Sequence, residues 1–242
     1  MAVTPAGAAL TRQHRRTQQA VSAAVLRELL ALWPLLDPLR LDETAPGFIA
    51  AATRLTAGGR ALSSRAAVAY YTAFRLAEGV SGAAPASVAA TAPLEAIRTS
   101  LLVTGPVSIK AATGRGVPLS RSTADALVRV SGAVSRHALD GGRETVVELT
   151  RTDPKAQGWA RVTSGDGCSF CQMLASRGPV YSGETVDFES HDHCLCGSEA
   201  VFPGYEWPAT SVAARERWDA LKTENGGPGA NLYNFRKELE GR

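Results

Sequence analysis

All four cysteines of the chain lie between positions 168 and 196, and two of its four histidines, His191 and His193, lie in the same window. The first pair, Cys168-Ser169-Phe170-Cys171, leaves two residues between the thiols. That spacing lets a tight knuckle turn both sulfurs toward one cation. The second group, His191-Asp192-His193-Cys194-Leu195-Cys196, follows after a stretch long enough for a hairpin to bring the chain back. Zn²⁺ in a structural role takes four nitrogen or sulfur ligands in a closed tetrahedron. Cys168 and Cys171 supply half of such a set, and His191, Cys194 and Cys196 offer the remainder. His191 and Cys194 are separated by two residues, as are His193 and Cys196, so four cysteines, or three cysteines and one histidine, both stand as ligand sets. The expected cofactor is one structural zinc ion. A filled tetrahedron keeps no position for water, which argues against hydrolytic chemistry. Metal binding would instead supply folding energy, on the order of 10 kcal/mol in small zinc peptides, comparable to the stability of a whole domain. A disulfide framework fits poorly, because such scaffolds spread their cysteines through small secreted chains.

The elements that would position this cluster are read from periodicity. A helix is expected over about 6–36, with Val21, Val25, Leu29, Leu32 and Leu36 on one face and a polar, basic front half reaching solvent or a partner. A second helical stretch is expected from Pro46 to Ala77, broken at Gly58-Gly59, with Tyr70, Tyr71 and Phe74 as packing core. Gly79–Pro93 reads as a flexible connection, and Leu94–Val103 as a short helix stopping before Gly105-Pro106. A further helix is expected after Pro118, capped by Ser120 or Ser122 and ended by Asp140-Gly141-Gly142, with His137 near its terminal carbonyls. Beyond it, Thr145–Thr150, Trp159–Thr163, Gly178–Tyr181 and Ala200–Phe202 read as strands. Val212–Leu221 and Leu232–Leu239 read as helices around a Gly226–Gly229 linker. The fold class is therefore α+β: a mainly helical region over 1–140, a small zinc-stabilised α+β domain over 143–206, and a tail over 207–242 with short helices.

The composition excludes some classes. With 45% hydrophobic residues the chain can bury a core. Its net charge of +3 does not by itself imply nucleic acid. The start lacks a secretory pattern, since Arg12, His14, Arg15 and Arg16 stand where an apolar run would be, and Arg27, Glu28 and Pro34 interrupt the most apolar segment. No membrane partner is expected. A nuclease of the His-Asn-His class would need a histidine after His193, and none follows; a hydrolase would have only His14 and His137 outside the cluster. A zinc module for nucleic acid would crowd bases around its knuckles, yet Arg177 stands here against Glu184, Asp187, Glu189 and Asp192. A zinc-containing nucleic-acid-binding protein is the main alternative, and a metal-dependent nuclease or other enzyme the second.

Trp159-Ala160-Arg161-Val162, the Cys168–Cys171 knuckle, Leu174–Tyr181 and the His191–Cys196 cluster together resemble MuF-like minor capsid proteins of tailed phages, in the version found in phages of actinobacteria. The resemblance covers about 155–203. It implies a noncatalytic minor head protein that associates with the portal protein or the major capsid protein, supports head assembly and DNA delivery, and resides in the virion head or at the portal vertex after synthesis in the host cytoplasm. Packaged DNA and a second copy of the chain join the expected partners. By position, Cys168, Cys171, His191, Cys194 and Cys196 occupy the family's metal-type positions, which favours His191 over His193.

Overall fold

A computed structural model of the chain describes residues 2–86, 92–163, 167–179, 187–207, 209–224 and 232–240. Helix α1 (Pro5–Leu32) begins where its signals agree: Thr4 Oγ1 accepts the Gly7 N–H at 2.9 Å, and Pro5 occupies the first helical position. A 3-10 turn at Trp33–Leu35 leads to α2 (Leu41–Ala77), whose first turn carries Asp42 and Glu43 against the helix dipole. Contrary to expectation, α2 does not break at Gly58-Gly59. A Cβ on Gly59 would lie 2.6 Å from Val25 Cγ2 of α1 and 3.2 Å from the Ala138 Cβ, so this glycine marks a helix crossing rather than a bend.

Helix α3 (Leu94–Leu102) stops before Gly105-Pro106 as expected; a π-type turn at Val103–Val107, interrupted by non-helical backbone at Gly105, leads into α4 (Ser108–Gly114). Pro106 has no N–H to continue the ladder, and the kink falls at Gly105, with φ −96° and ψ −107°. Of the connection expected at Gly79–Pro93, positions 87–91 lie outside the described residues.

The largest correction concerns α5 (Leu119–Thr152). Neither Ser120 nor Ser122 caps it, and it runs straight through Asp140-Gly141-Gly142, so the expected boundary between 140 and 143 falls inside one helix. A Cβ on Gly141 would meet Arg60 Cγ at 2.7 Å and its carbonyl oxygen closer still; one on Gly142 would meet Ser63 Oγ at 2.6 Å. These glycines let α5 lie directly on α2. Thr145–Thr150 is consequently helix, not strand. Its threonine hydroxyls bond back to carbonyls one turn earlier, Thr145 to Gly141 at 2.6 Å and Thr150 to Val146 at 2.7 Å.

Trp159–Thr163 does lie largely in a strand, β1 (Gly158–Val162). Its antiparallel partner is β2 (Gly197–Val201), in a register pairing Trp159 with Ala200 and Val162 with Gly197. The strand expected at Ala200–Phe202 thus starts earlier. Gly178 and Pro179 are not in a strand, and the remainder of Gly178–Tyr181 lies outside the described residues. Short α6 (Ser169–Ala175) follows β1, while α7 (Ala209–Glu224) and α8 (Leu232–Glu240) occupy the tail, touching through Trp218 and Phe235. The expected Gly226–Gly229 linker lies outside the described residues.

The protein is mostly helical with a small two-stranded sheet, an α+β arrangement. Helix α5 joins three cores: Val130 and Val134 pack with Val25, Leu29, Phe48, Ile97 and Ile109; Val146 and Leu149 pack with Tyr70, Tyr71, Phe74 and Phe202; Val147 faces Trp159, Phe188 and the cysteines. The front half of α1 was expected to reach solvent or a partner. Arg12 and Arg16 are exposed, but Thr11 donates to the buried Glu199 carboxylate and His14 stacks on Tyr70 at 4.3 Å, docking this half on the molecule's own sheet and α2. Among the described residues no helix is long and apolar enough to cross a membrane.

Candidate metal centre

The sheet register builds the site. Because Val162 pairs with Gly197, the chain leaving β1 toward Cys168 starts beside the point where Cys196 enters β2. Cys168 then stands at the N-cap position of α6, without a side-chain capping bond, and Cys171 lies buried in its first turn. The cluster is compact: His191 Nε2 lies 2.9 Å from Cys168 Sγ and 3.4 Å from Cys171 Sγ, and Cys171 Sγ lies 3.4 Å from Cys194 Sγ. Two triads of donor atoms, Cys168–Cys171–His191 and Cys171–Cys194–Cys196, each gather within 4.8 Å and share Cys171. None of the four cysteines is in a disulfide.

These separations suit a metal. A tetrahedral zinc with bonds of about 2.3 Å to sulfur spaces its ligands about 3.8 Å apart, within reach of small side-chain rotations. The histidine is turned as a ligand would be. Its Nδ1–H donates to the Asp192 carbonyl at 2.7 Å, which leaves Nε2 as the lone-pair nitrogen facing the thiols. His193 is placed differently. It adopts φ 62°, and its ring packs over Gly132 of α5, where a Cβ would come 2.7 Å from Nε2. The buried thiols also influence one another: their mutual hydrogen bonds pull the Cys194 thiol down and push Cys171 up.

A strap of polar contacts fastens the second half of the cluster to α5. Arg143 donates from Nε to the Cys196 carbonyl at 2.9 Å and from a terminal nitrogen to the Cys194 carbonyl. Its other terminal nitrogen pairs with Asp140 at 2.8 Å, and Asp140 also accepts the Ser190 hydroxyl at 2.8 Å. Arg136 pairs with Asp192 at 2.8 Å. Arg161 of β1 lies 3.8 Å from Cys171 Sγ, donates to the Glu189 carbonyl, and stacks on Phe188 at 3.9 Å. A cleft of about 540 Å³ opens on the cluster beneath Arg15 and Gln19 of α1.

The donors were legible in the sequence, but this arginine frame was not. Arg143 follows the two glycines that read as a helix end, which hid it. Arg161 did carry a signal, as a charged residue inside the apolar run Trp159–Val162. His137 was expected beside helix-terminal carbonyls; α5 continues past it, and burial lowers its pKa. Burial likewise lowers His14 to about 4.

A mostly helical chain with a Cys/His cluster able to hold a metal on its central helix belongs to the VG15 protein family, whose match spans residues 7–221 and so includes the whole site. The Gene 15 protein of Mycobacterium phage D29 is 34% identical over 71 residues, covering 28% of this chain and 26% of that protein. The chain is thus a phage protein. The aligned segment spans about a quarter of that relative's length. No solved structure matches the chain.

Proposed function

We propose that the protein is a noncatalytic, MuF-like minor head protein in which one zinc ion, held by four of Cys168, Cys171, His191, Cys194 and Cys196, locks the segment 158–201 onto helix α5. The observation that carries this reading is the shared-cysteine pair of triads, strapped by Arg143 to the helix that unites the three cores. An ion there would tie β1, α6 and β2 into one rigid block on a helical frame. Four filled positions leave no place for a reacting water. The portal or the inner face of the capsid is the partner this reading supplies, with delivery of DNA as the process served and the virion as location. Arg12, Arg15 and Arg16 make no ion pair among the described residues, and the first carboxylate in the sequence is Glu28, which suits a contact with packaged DNA. The test is to locate the protein in purified particles and to pull down portal and capsid proteins with it. Retention after a high-salt wash and co-purification with the portal are expected; recovery only from the soluble host fraction overturns the reading.

A further inference from the structure

Arg161 is 2% exposed. It pairs with no carboxylate among the described residues, and its Nε has no partner at all. Its other contacts are the Glu189 carbonyl, the face of Phe188 and Cys171 Sγ. Carbonyl and ring offer partial charges only, and a buried guanidinium needs a full one. Arg143, the other buried arginine at the site, already has Asp140. Arg15, which lines the cleft and also makes no ion pair among the described residues, is only part-buried, so one fully buried positive charge stands unbalanced against the cysteine cluster.

We infer that Arg161 is the counter-charge and outer hydrogen-bond donor of a metal centre carrying a net charge of −1. This rests on the metal reading above and goes beyond it by fixing the composition of the ligand set. A divalent ion with three thiolates and a neutral imidazole sums to −1, which one guanidinium balances. With four thiolates the sum is −2, and a buried charge would remain. The imidazole is His191, whose Nδ1–H is committed to the Asp192 carbonyl and whose Nε2 faces Cys168 and Cys171. Cys171, common to both triads and within 3.8 Å of the Arg161 guanidinium, is one of the three thiolates. The fourth cysteine stays outside the shell as a thiol. Arg161 is a positioning residue: it touches a ligand and not the ion, so its charge and its N–H bond act through the sulfur.

The experiment uses the full chain loaded with zinc, and separately with Co²⁺, as wild type, R161Q and R161K. Metal analysis of wild type comes first; a chain that retains no metal overturns the metal reading and this inference together. With metal bound, R161Q is expected to lose zinc to a competing chelator with affinity about 10- to 100-fold weaker, and to shift the sulfur-to-cobalt absorption band. R161K restores the charge and is expected to recover most of the affinity while leaving the band shifted. Wild-type affinity and band in R161Q overturn the inference while leaving the metal reading intact, as does equal loss in R161Q and R161K. X-ray absorption of the wild-type zinc site decides the matter even where R161Q fails to fold: three sulfurs and one nitrogen support the inference, and four sulfurs overturn it.

Discussion

Replacing Gly141 and Gly58 by alanine should move stability in opposite directions. Both are interior helical glycines, where alanine is intrinsically better by about 1 kcal/mol. At Gly58 nothing lies within 4 Å of the new Cβ, so G58A should realise most of that gain. At Gly141 the Cβ would lie 2.7 Å from Arg60 Cγ and still closer to the Arg60 backbone oxygen, which belongs to α2 and cannot rotate away. Helices α2 and α5 must then separate by roughly an ångström. Overpacking of this kind costs about 1–3 kcal/mol, and the rigid backbone neighbour places it at the upper end. Subtracting the propensity gain leaves a net loss of about 1–2 kcal/mol, so the two variants should differ by about 2–3 kcal/mol. Urea denaturation followed by circular dichroism, with the slope checked for constancy, reads this directly. If G141A is as stable as G58A, α5 does not lie on α2 at this point, and Asp140-Gly141-Gly142 is the helix end that its composition suggests.

Other outcomes follow from the same contacts. Asp153 is fully buried and accepts from Arg75 Nε at 2.7 Å and Tyr71 Oη at 3.1 Å, so D153A strands a buried guanidinium and should cost about 3–5 kcal/mol in the same assay. His14 is held neutral by burial, its pKa lowered from 6.5 to about 4. Below pH 6.5 the unfolded chain therefore binds a proton that the folded chain refuses, and His14 should contribute a fall in stability of about 1.4 kcal/mol per unit between pH 6.5 and 5; H14Q should lose this contribution and keep only what the likewise lowered His137 adds, and an unchanged slope there refutes the assignment. C171S removes the donor common to both triads. It should abolish metal retention and amide-exchange protection across 158–201, yet leave α1, α2 and most of α5 protected; global unfolding would contradict the helical frame's independence.

What could be read from the sequence, and what could not, divides along physical lines. The donors were legible because cysteine and histidine at knuckle spacing have few other uses in such a chain. Tyr70, Tyr71 and Phe74 were legible as core from helical spacing, and Trp159 as strand from its β-branched and apolar surroundings. Three features misled. Gly59, Gly141 and Gly142 look like helix breaks, but glycine also serves where two backbones approach, and only the partner helix distinguishes the uses. Thr145–Thr150 carries the residues of a strand, yet Val146, Val147 and Leu149 serve two cores at once; burial on several sides erases the 3.6-residue alternation, and packing overrides propensity. The role of Arg143 and Arg161 could not be read, although Arg161 stands out as a charge in an apolar run, because the carbonyls and the sulfur they hold come from distant positions.

The central claim is that the cysteine cluster is a closed structural metal site. Its most direct test is native mass spectrometry of the full chain purified without added metal, paired with thiol alkylation under the same conditions. One zinc per chain is expected, with the metal-bound thiols protected until a chelator is added. A metal-free mass with all four thiols alkylated at the rate of an unfolded peptide would contradict the account.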